Sequence, residues 1–523
     1  MICVVIKGPS FEEADRQILK ALPYADLVEL RIDSFQSLDI SALKQLRSRH
    51  AIPMIFTLRS QKQGGNQMFR SARLDAICLL AALEPEYLDL ENEDPPSFIK
   101  NISSTFPKIK LILSYHNFHR TAEEAELDLL YQKMQQTTAS FYKIAVMAHH
   151  SLDAMRLLCW AKKSNVNRKL IAISMGSHGQ ISRILGPVIG NRITYSTLDK
   201  NHLSAPGQLP ASTLLTRYRY NSCTPHTAIY GLIGDPVDQS VSDETHNYLF
   251  KTCGIDAIYL KIQVKPSELA CFLQLAKQLS FRGLSVTMPL KECILPFLDY
   301  IEPDALAIGA VNTLLFEEGR VIGTNTDGVG ALNAINKVSP GLSRVLLIGA
   351  GGAAKAIAHE ALKRGKTVTI VNRNSEKARQ TAQILGCAWV DKREAIPSHD
   401  LLINCTPASL PISPGQILPG STVMDITTKP KESLFLTLAA QKHCSIIYGY
   451  EMFIEQAIGQ FSFWFKDLLN IQTLRKTFEG IDWERLVFRP LLPHLNHLKA
   501  KYFQVKTSRK LLKEAFGFKD DEA

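Results

Sequence analysis

The chain has 523 residues, too many for one ordinary domain, so two or three are expected. A hydrophobic fraction of 46% and a charged fraction of 21% are those of a water-soluble globular protein with material for more than one core. The net charge of +10 favours anionic ligands, and small acidic metabolites satisfy it as well as nucleic acid does. No dense Lys/Arg stripe with interleaved aromatics and no zinc-finger spacing is present, which sets nucleic acid aside.

The ten cysteines are scattered singly and none forms a Cys-x-x-Cys pair, the pattern of reduced thiols in a cytoplasmic compartment. Residues 1–8 read as a first strand and lack the basic start and long apolar segment of a signal peptide. No stretch approaches the roughly 18 apolar residues of a membrane helix, so no membrane partner is expected. No internal repeat is evident, and no motif speaks to oligomeric state.

Strand-like runs fall at residues 2–6, 27–32, 53–58, 87–90, 111–114, 141–146, 170–174 and 193–196, with helical spacing between them at 11–22 and 122–134. Strands alternating with helices predict a parallel sheet, and eight such units predict a closed (β/α)8 barrel. Barrel chemistry sits at the C-terminal ends of the strands. Glu29, Arg31 and Asp33 end the second run, Arg59 the third, and His116 follows the fifth. Lys143 lies on the sixth, and Ser174-Met175-Gly176 closes the seventh. Lys143 is the most informative of these, because Phe141–Ala148 is otherwise largely apolar. Burial disfavours a charged amine, and only the neutral amine attacks a carbonyl, so a buried strand lysine suits Schiff-base chemistry. An ion-paired lysine at a strand end is the competing reading.

Residues 1–220 resemble type I 3-dehydroquinate dehydratase. The resemblance rests on Glu29-Leu30-Arg31-Ile32-Asp33, Ser114-Tyr115-His116, Lys143-Ile144-Ala145, Ser174-Met175-Gly176 with Ser182-Arg183, and Ser204-Ala205-Pro206-Gly207-Gln208. It implies that Lys143 forms an imine with the C3 ketone of dehydroquinate and that His116 is the general acid/base, with no metal. It further implies that Arg183 pairs with the substrate carboxylate, bidentate geometry being what a guanidinium offers. Glu29, Arg31, Arg59, Ser204 and Gln208 would hold the ring hydroxyls or the carboxylate. One position departs from the family: Gln63 stands where a Glu is usual. It can hydrogen-bond His116 but brings no negative charge, so a lower His116 pKa is expected than in a Glu-bearing relative.

A short polar stretch at 221–226 reads as a linker, and Ala228–Pro236 as a new strand and turn. Farther on, a strand at 344–348 runs into Gly349-Ala350-Gly351-Gly352-Ala353 and then a helix, the geometry that rests a pyrophosphate on a helix N-terminus. The next strand ends in Asn372-Arg373-Asn374, where NAD-binding proteins carry a carboxylate for the ribose 2′-hydroxyl. An arginine there can pair with a 2′-phosphate, so NADP(H) is favoured over NAD. Upstream, Lys291 and Asp327 stand in compact polar motifs, Thr287-Met288-Pro289-Leu290-Lys291 and Gly323-Thr324-Asn325-Thr326-Asp327. A lysine–carboxylate pair can move a proton at a secondary alcohol.

In order, these motifs resemble shikimate dehydrogenase over residues 228–478. The resemblance implies a catalytic Lys291–Asp327 pair, with Lys291 the proton acceptor and donor. It implies substrate contacts from Ser240, Ser242, Thr287, Asn312 and Gln456. For NADP it implies Gly349, Ala350, Gly351, Gly352, Ala353, Asn372 and Arg373, with Thr406 and Gly449 on the nicotinamide side. Asp243 replaces the usual Pro, Ser285 the usual Asn, and Thr428 a common Tyr.

The expected architecture is α/β: a (β/α)8 barrel at 1–222, then a dehydrogenase at 226–478. The dehydrogenase divides into a substrate part (226–335 plus 449–478) and a Rossmann-type NADP part (336–448), and residues 479–523 form a basic helical extension. The two resemblances name consecutive steps, dehydration of 3-dehydroquinate and NADPH-dependent reduction of 3-dehydroshikimate to shikimate, acting on small molecules only. The alternatives are an NAD-preferring quinate/shikimate dehydrogenase fusion and a catalytically inactive metabolite sensor. A sensor would have lost Lys143, His116, Lys291 or Asp327, and all four are present.

Overall fold

The computed structural model describes residues 1–66, 70–165, 167–199, 201–391, 396–466 and 469–484. Most of the basic extension expected at 479–523 lies outside the described residues. The chain divides into two compact units at Thr227/Ala228.

The first unit is a barrel of eight strands: β1 (Ile2–Ile6), β2 (Leu27–Arg31), β3 (Met54–Thr57), β4 (Tyr87–Glu91), β5 (Lys110–Asn117), β6 (Phe141–Met147), β7 (Leu170–Met175) and β8 (Thr194–Ser196). Their order is β7-β6-β5-β4-β3-β2-β1-β8, with every pair parallel. Residues of β1 to β4 and β7 are buried throughout, as befits strands covered on both faces. Between β7 and β8 no ladder is present among the described residues. The Asn191 side chain bridges that seam, accepting from Ala172 N (3.2 Å) and donating to Ala172 O (2.9 Å). The helices follow local signals. Helix Phe11–Ala21 starts where the Ser10 hydroxyl accepts from Glu13 N, with Glu12 and Glu13 in its first turn and Lys20 in its last.

Inside the barrel, alternate residues form an apolar floor that includes Leu27, Ile55, Ile112, Ala145, Ile171 and Ile193. The period of two then carries Glu29, Thr57, Asp89, Ser114 and Lys143 to the same interior face. The same alternation turns Ser174 outward, since Ile171, Ile173 and Met175 are the interior residues of β7.

The second unit has two six-stranded sheets. One contains β9 (Ala228–Gly234), β10 (Ala257–Gln263), β11 (Phe281–Val286), β12 (Tyr300–Ile301), β13 (Thr313–Glu317) and β14 (Arg320–Thr324), in the order β10-β9-β11-β13-β14-β12. Its β13 runs antiparallel to both neighbours. Helix Gly449–Phe465 covers this sheet with Phe461 and Trp464, and the core extends to Ile481 and Trp483. The other sheet contains β15 (Arg344–Ile348), β16 (Thr367–Asn372), β17 (Ala388–Asp391), β18 (Leu401–Asn404), β19 (Thr422–Asp425) and β20 (Ser445–Ile447). It is parallel throughout with order β17-β16-β15-β18-β19-β20, a doubly wound arrangement whose strand order reverses beside β15. Among the described residues no helix is long and apolar enough to cross a membrane.

His246 is fully buried in the first of these sheets' core, its ring 4.4 Å from Tyr259 and 5.2 Å from Phe461, centroid to centroid. Burial pushes its pKa down to about 4. The unfolded chain therefore takes up a proton that the folded one refuses. The resulting stabilisation is complete above the ordinary imidazole pKa and is lost as pH falls from there towards 4, by roughly 3 kcal/mol in all. Urea melts at pH 7 and 4.5, followed by hydrogen exchange in residues 228–484, should show a shallower acid-side loss in His246→Gln than in wild type. An unchanged slope rejects this assignment.

Candidate active sites

The barrel interior holds a chain of alternating charges. Lys143 Nζ lies 3.3 Å from Asp89 Oδ2 and 3.7 Å from Glu29 Oε1, above the Tyr195 ring at 3.8 Å from its centroid. Asp89 accepts from Ser114 Oγ (2.6 Å) and pairs with Arg59 Nη2 (3.0 Å). Arg59 donates to Ser114 Oγ (2.7 Å) and reaches Glu91 at 3.6 Å; Arg73 joins Glu91 (3.4 Å) to Asp94 (2.6 Å). Each of these groups is buried, and leaving any one unpartnered would cost several kcal/mol, on the order of 3–5. Burial opposes the charge on Asp89, but Arg59 and Lys143 outweigh it and hold that carboxyl below the ordinary carboxylate range. Lys143 is thus buried as expected, yet among carboxylates rather than in purely apolar surroundings.

His116, half-buried on β5, presents Nδ1 to Gln63 Oε1 at 3.0 Å. This contact fixes the proton on Nδ1 and leaves Nε2 with its lone pair. Burial first, then the cations Arg59, Lys143 and Arg31, hold the imidazole well below its usual range. Gln63 is placed by a tight loop in which Gly64 has φ +83° and a Cβ on Gly65 would come within 2.0 Å of Arg59 O.

The remaining barrel residues divide by how they are held. Arg31 is committed to Asp33 through two bonds of 2.9 and 2.8 Å. Gln208 Oε1 accepts from Ser204 N (2.8 Å), Ser204 Oγ (2.9 Å) and Ala205 N (3.2 Å), so it shapes the 204–208 loop. Arg183 is buried and donates to Tyr195 O (2.9 Å), its Nε has no partner, and no carboxylate faces it among the described residues. Burial pushes its pKa down to about 10. An unpaired buried guanidinium is a place prepared for an anion.

In the second unit, Lys291 Nζ pairs with Asp327 Oδ2. Asp327 opens helix Asp327–Val338, and Asn312 Nδ2 donates to its other oxygen at 2.7 Å. Asn312 is itself fixed by Thr313 Oγ1 (2.7 Å) and Thr326 N (2.9 Å). Ser240 and Ser242 share a hydroxyl hydrogen bond of 2.7 Å at the start of helix Ser242–Thr252. Thr287 follows β11, its N–H donating to Ile233 O at 2.9 Å, and Gln456 donates to Phe453 O at 3.0 Å within its helix. Ser285 is not directed at the Lys291–Asp327 pair: it accepts from Tyr259 OH (2.7 Å) and donates to Gln460 Oε1 (3.0 Å).

The glycine turn after β15 meets this site directly. A Cβ on Gly352 would lie 3.1 Å from Lys291 Cβ, whereas one on Gly351 would meet nothing within 4 Å. Gly351 caps helix Gly352–Lys363 and faces open space at that helix N-terminus, with Ala353 in the first turn; Gly349 packs against Cys405 and Thr406, and Ala350 is buried in the core. Gly349 has φ +118°, a backbone state suited to glycine. Thr406 packs against Gly349 and is held by Asn404 Oδ1 (2.8 Å). Asn372 ends β16, and Arg373 beyond it is exposed with no carboxylate partner among the described residues. At Gly449 a Cβ would come within 2.3 Å of Thr427 O, so only glycine fits at this helix start.

The type I 3-dehydroquinase model matches residues 2–224. The shikimate dehydrogenase substrate binding domain matches 232–314, and the shikimate/quinate 5-dehydrogenase model matches 334–438. A shikimate biosynthesis protein AroDE of Chlamydia pneumoniae is 38% identical over 476 residues, covering 90% of this chain and 96% of that protein. The chain belongs to the bifunctional 3-dehydroquinate dehydratase/shikimate dehydrogenase family. The chloroplastic bifunctional enzyme of Arabidopsis thaliana is 33% identical over 493 residues, 88% of this chain and 81% of that one. A shikimate dehydrogenase (NADP(+)) of Pyrococcus furiosus is 38% identical over 271 residues, 50% of this chain and 97% of its own length.

Sequence reasoning missed Asp89, Glu91, Arg73 and Tyr195 around the dehydratase lysine. Asp89 was accessible to the logic applied to Lys143, since it is a charge at inward parity on a short buried strand. Arg73 was not, because its partners Glu91 and Asp94 are joined to it only by the fold.

The neutral Gln63 at 3.0 Å from His116 sets the first test of this site. A glutamate there would favour the imidazolium, so Gln63→Glu should move the acid limb of the dehydratase pH–rate profile to higher pH by about one unit. An unmoved limb contradicts the contact.

Proposed function

We propose that the barrel dehydrates 3-dehydroquinate and that the second unit reduces the resulting 3-dehydroshikimate to shikimate, each through the lysine at its centre. One observation carries the reading: the polar residues expected for each activity converge on a lysine–carboxylate group, Lys143 with Asp89 and Glu29 inside the barrel, and Lys291 with Asp327 and Asn312 beside the glycine turn.

In the barrel, Lys143 attacks the C3 ketone and water leaves as the imine forms. The iminium draws electrons from the neighbouring carbon, so His116 Nε2 can remove the C2 proton and then return it to the departing hydroxyl, which leaves as water. Hydrolysis of the iminium releases product and restores the amine. Asp89 and Glu29 balance the positive charge on nitrogen throughout, and Arg59 keeps Asp89 ionised. Arg183, buried and without a carboxylate among the described residues, receives the substrate carboxylate, and Arg31, Ser204 and Gln208, held in place by Asp33 and by their own loop, face the ring hydroxyls.

In the second unit, Lys291 delivers a proton to the substrate carbonyl oxygen and Asp327 holds the amine in place, fixed in turn by Asn312. Ser240, Ser242, Thr287, Asn312 and Gln456 bind the carboxylate and hydroxyls. The open space at Gly351 on a helix N-terminus and Arg373, which has no carboxylate partner among the described residues, suit a dinucleotide with a 2′-phosphate, as in the NADP(+)-named relative. Gly352, Ala353, Asn372, Thr406 and Gly449 complete that surface. Bound NADPH supplies the hydride. We place the dehydratase at 1–222 and the dehydrogenase from 226, its core running past 478 to Trp483, and ten free thiols support a reducing, cytoplasmic setting.

The purified chain, given 3-dehydroquinate and NADPH, should consume NADPH. Lys143→Ala should reduce that signal by at least about a thousand-fold and spare reduction of added 3-dehydroshikimate, while Lys291→Ala should cost about 10²–10⁴-fold in reduction and let the enone accumulate. Loss of both activities in either variant contradicts two independent centres. Arg373→Ala should raise the NADP KM about tenfold and leave NAD turnover unchanged; equal effects on both cofactors contradict a 2′-phosphate contact.

A further inference from the structure

We infer that Lys261 and Asp243 form an electrostatic clamp that positions the Ser240–Ser242 loop for the dehydrogenase substrate. The inference rests on the assignment of those serines to substrate binding. Lys261 lies on β10, the edge strand of its sheet. Its ammonium reaches across to three points of the loop: Asp238 O (3.3 Å), Ser240 O (3.1 Å) and the Asp243 carboxylate (3.2 Å). Two residues farther along β10, Gln263 Nε2 donates to Asp235 Oδ1 at 2.7 Å. The loop is therefore fastened to the edge strand at both ends, with the serine hydroxyls between the fastenings.

The burial of the partners tells which one demands the other. Asp243 has no solvent exposure, whereas the Lys261 side chain keeps 19%. A fully buried carboxylate needs a counter-charge. Lys261 supplies it, and the same three-donor head spans two main-chain carbonyls that a hydrocarbon side chain would leave unheld. One of those carbonyls belongs to Ser240, whose hydroxyl accepts from Ser242 N (3.2 Å) and shares a hydrogen bond with Ser242 Oγ. Loosening Lys261 thus turns the serine pair without touching Lys291, Asp327 or the glycine turn. Lys261 and Asp243 are positioning residues: they act on substrate only through the two serines.

The test replaces both charges together, Lys261→Gln with Asp243→Asn, so that no uncompensated charge stays buried. Dehydratase activity of the same chain serves as the concentration control. Expected is a rise of about tenfold or more in the KM for shikimate, with kcat and the NADP KM within about threefold of wild type. Lys261→Arg alone, which keeps the charge and several donors, should recover most of the loss. A shikimate KM within about twofold of wild type overturns the clamp. So does a fall in kcat together with a rise in both KM values, which marks a purely structural pair. Ser240→Ala is measured alongside. If it raises the shikimate KM while the charge variants do not, the clamp alone fails; if it too leaves that KM unmoved, the serine-loop assignment fails and the clamp with it.

Discussion

The dehydratase half depends on keeping several charges inside a barrel at once. A lone buried ammonium or carboxylate is too costly to persist, so the interior solves the problem by alternation: Lys143, Asp89, Arg59, Glu91, Arg73 and Asp94 run as positive, negative, positive, negative, positive, negative. Lys143, the residue proposed to form the imine, stands at one end of this series, and the carboxylates beside it are held by other partners as well: Asp89 by Arg59 and Ser114, Glu29 by Thr57. Tyr195 beneath Lys143 presents a ring face, which favours a cation on nitrogen in either of its charged forms.

The second unit meets a related demand by different means. Among the described residues Lys291 pairs with one carboxylate, which stands at a helix N-terminus, where the backbone already favours negative charge. Asn312 ties Asp327 to the β13 side of the site, and the close approach of Gly352 to Lys291 brings the glycine turn after β15 against the lysine. On the proposed roles, substrate and cofactor would meet there. Nearby, Ser285 donates to Gln460, and Gln460 donates to the main-chain oxygen of Asn312, stitching helix Gly449–Phe465 to the sheet.

Much of the architecture was legible because buried parallel strands read as continuous apolar runs. All eight barrel strands lie within a few residues of the expected positions. The largest difference is β5, which continues through Tyr115, His116 and Asn117. Those polar residues are held in the sheet by pairing with Ile144, Ala145 and Val146 of β6, a long-range contact that no local pattern announces. Lys143 and Lys291 were legible for the opposite reason, as charges where apolar or turn residues prevail. Their partners were harder to find. Asp89 shared the signature of Lys143 but lacked a nucleophile's chemistry to draw notice, and the counter-charge of Asp243 sits eighteen residues away on an edge strand. Ser174 shows the limit of motif reasoning: it closes a strand of the barrel mouth yet faces outward, where its N–H donates to Ser182 Oγ ahead of Arg183.

In the proposed dehydration the buried amine of Lys143, held between Asp89 and Glu29, bonds covalently to the ketone of the substrate. Borohydride reduction in the presence of 3-dehydroquinate, followed by peptide mass spectrometry, addresses it directly. The account predicts a substrate-derived adduct on the peptide containing Lys143, formed only with substrate present and in step with loss of dehydratase activity. Reduction that leaves this peptide unmodified while the enzyme turns over, or an adduct on another lysine, contradicts it.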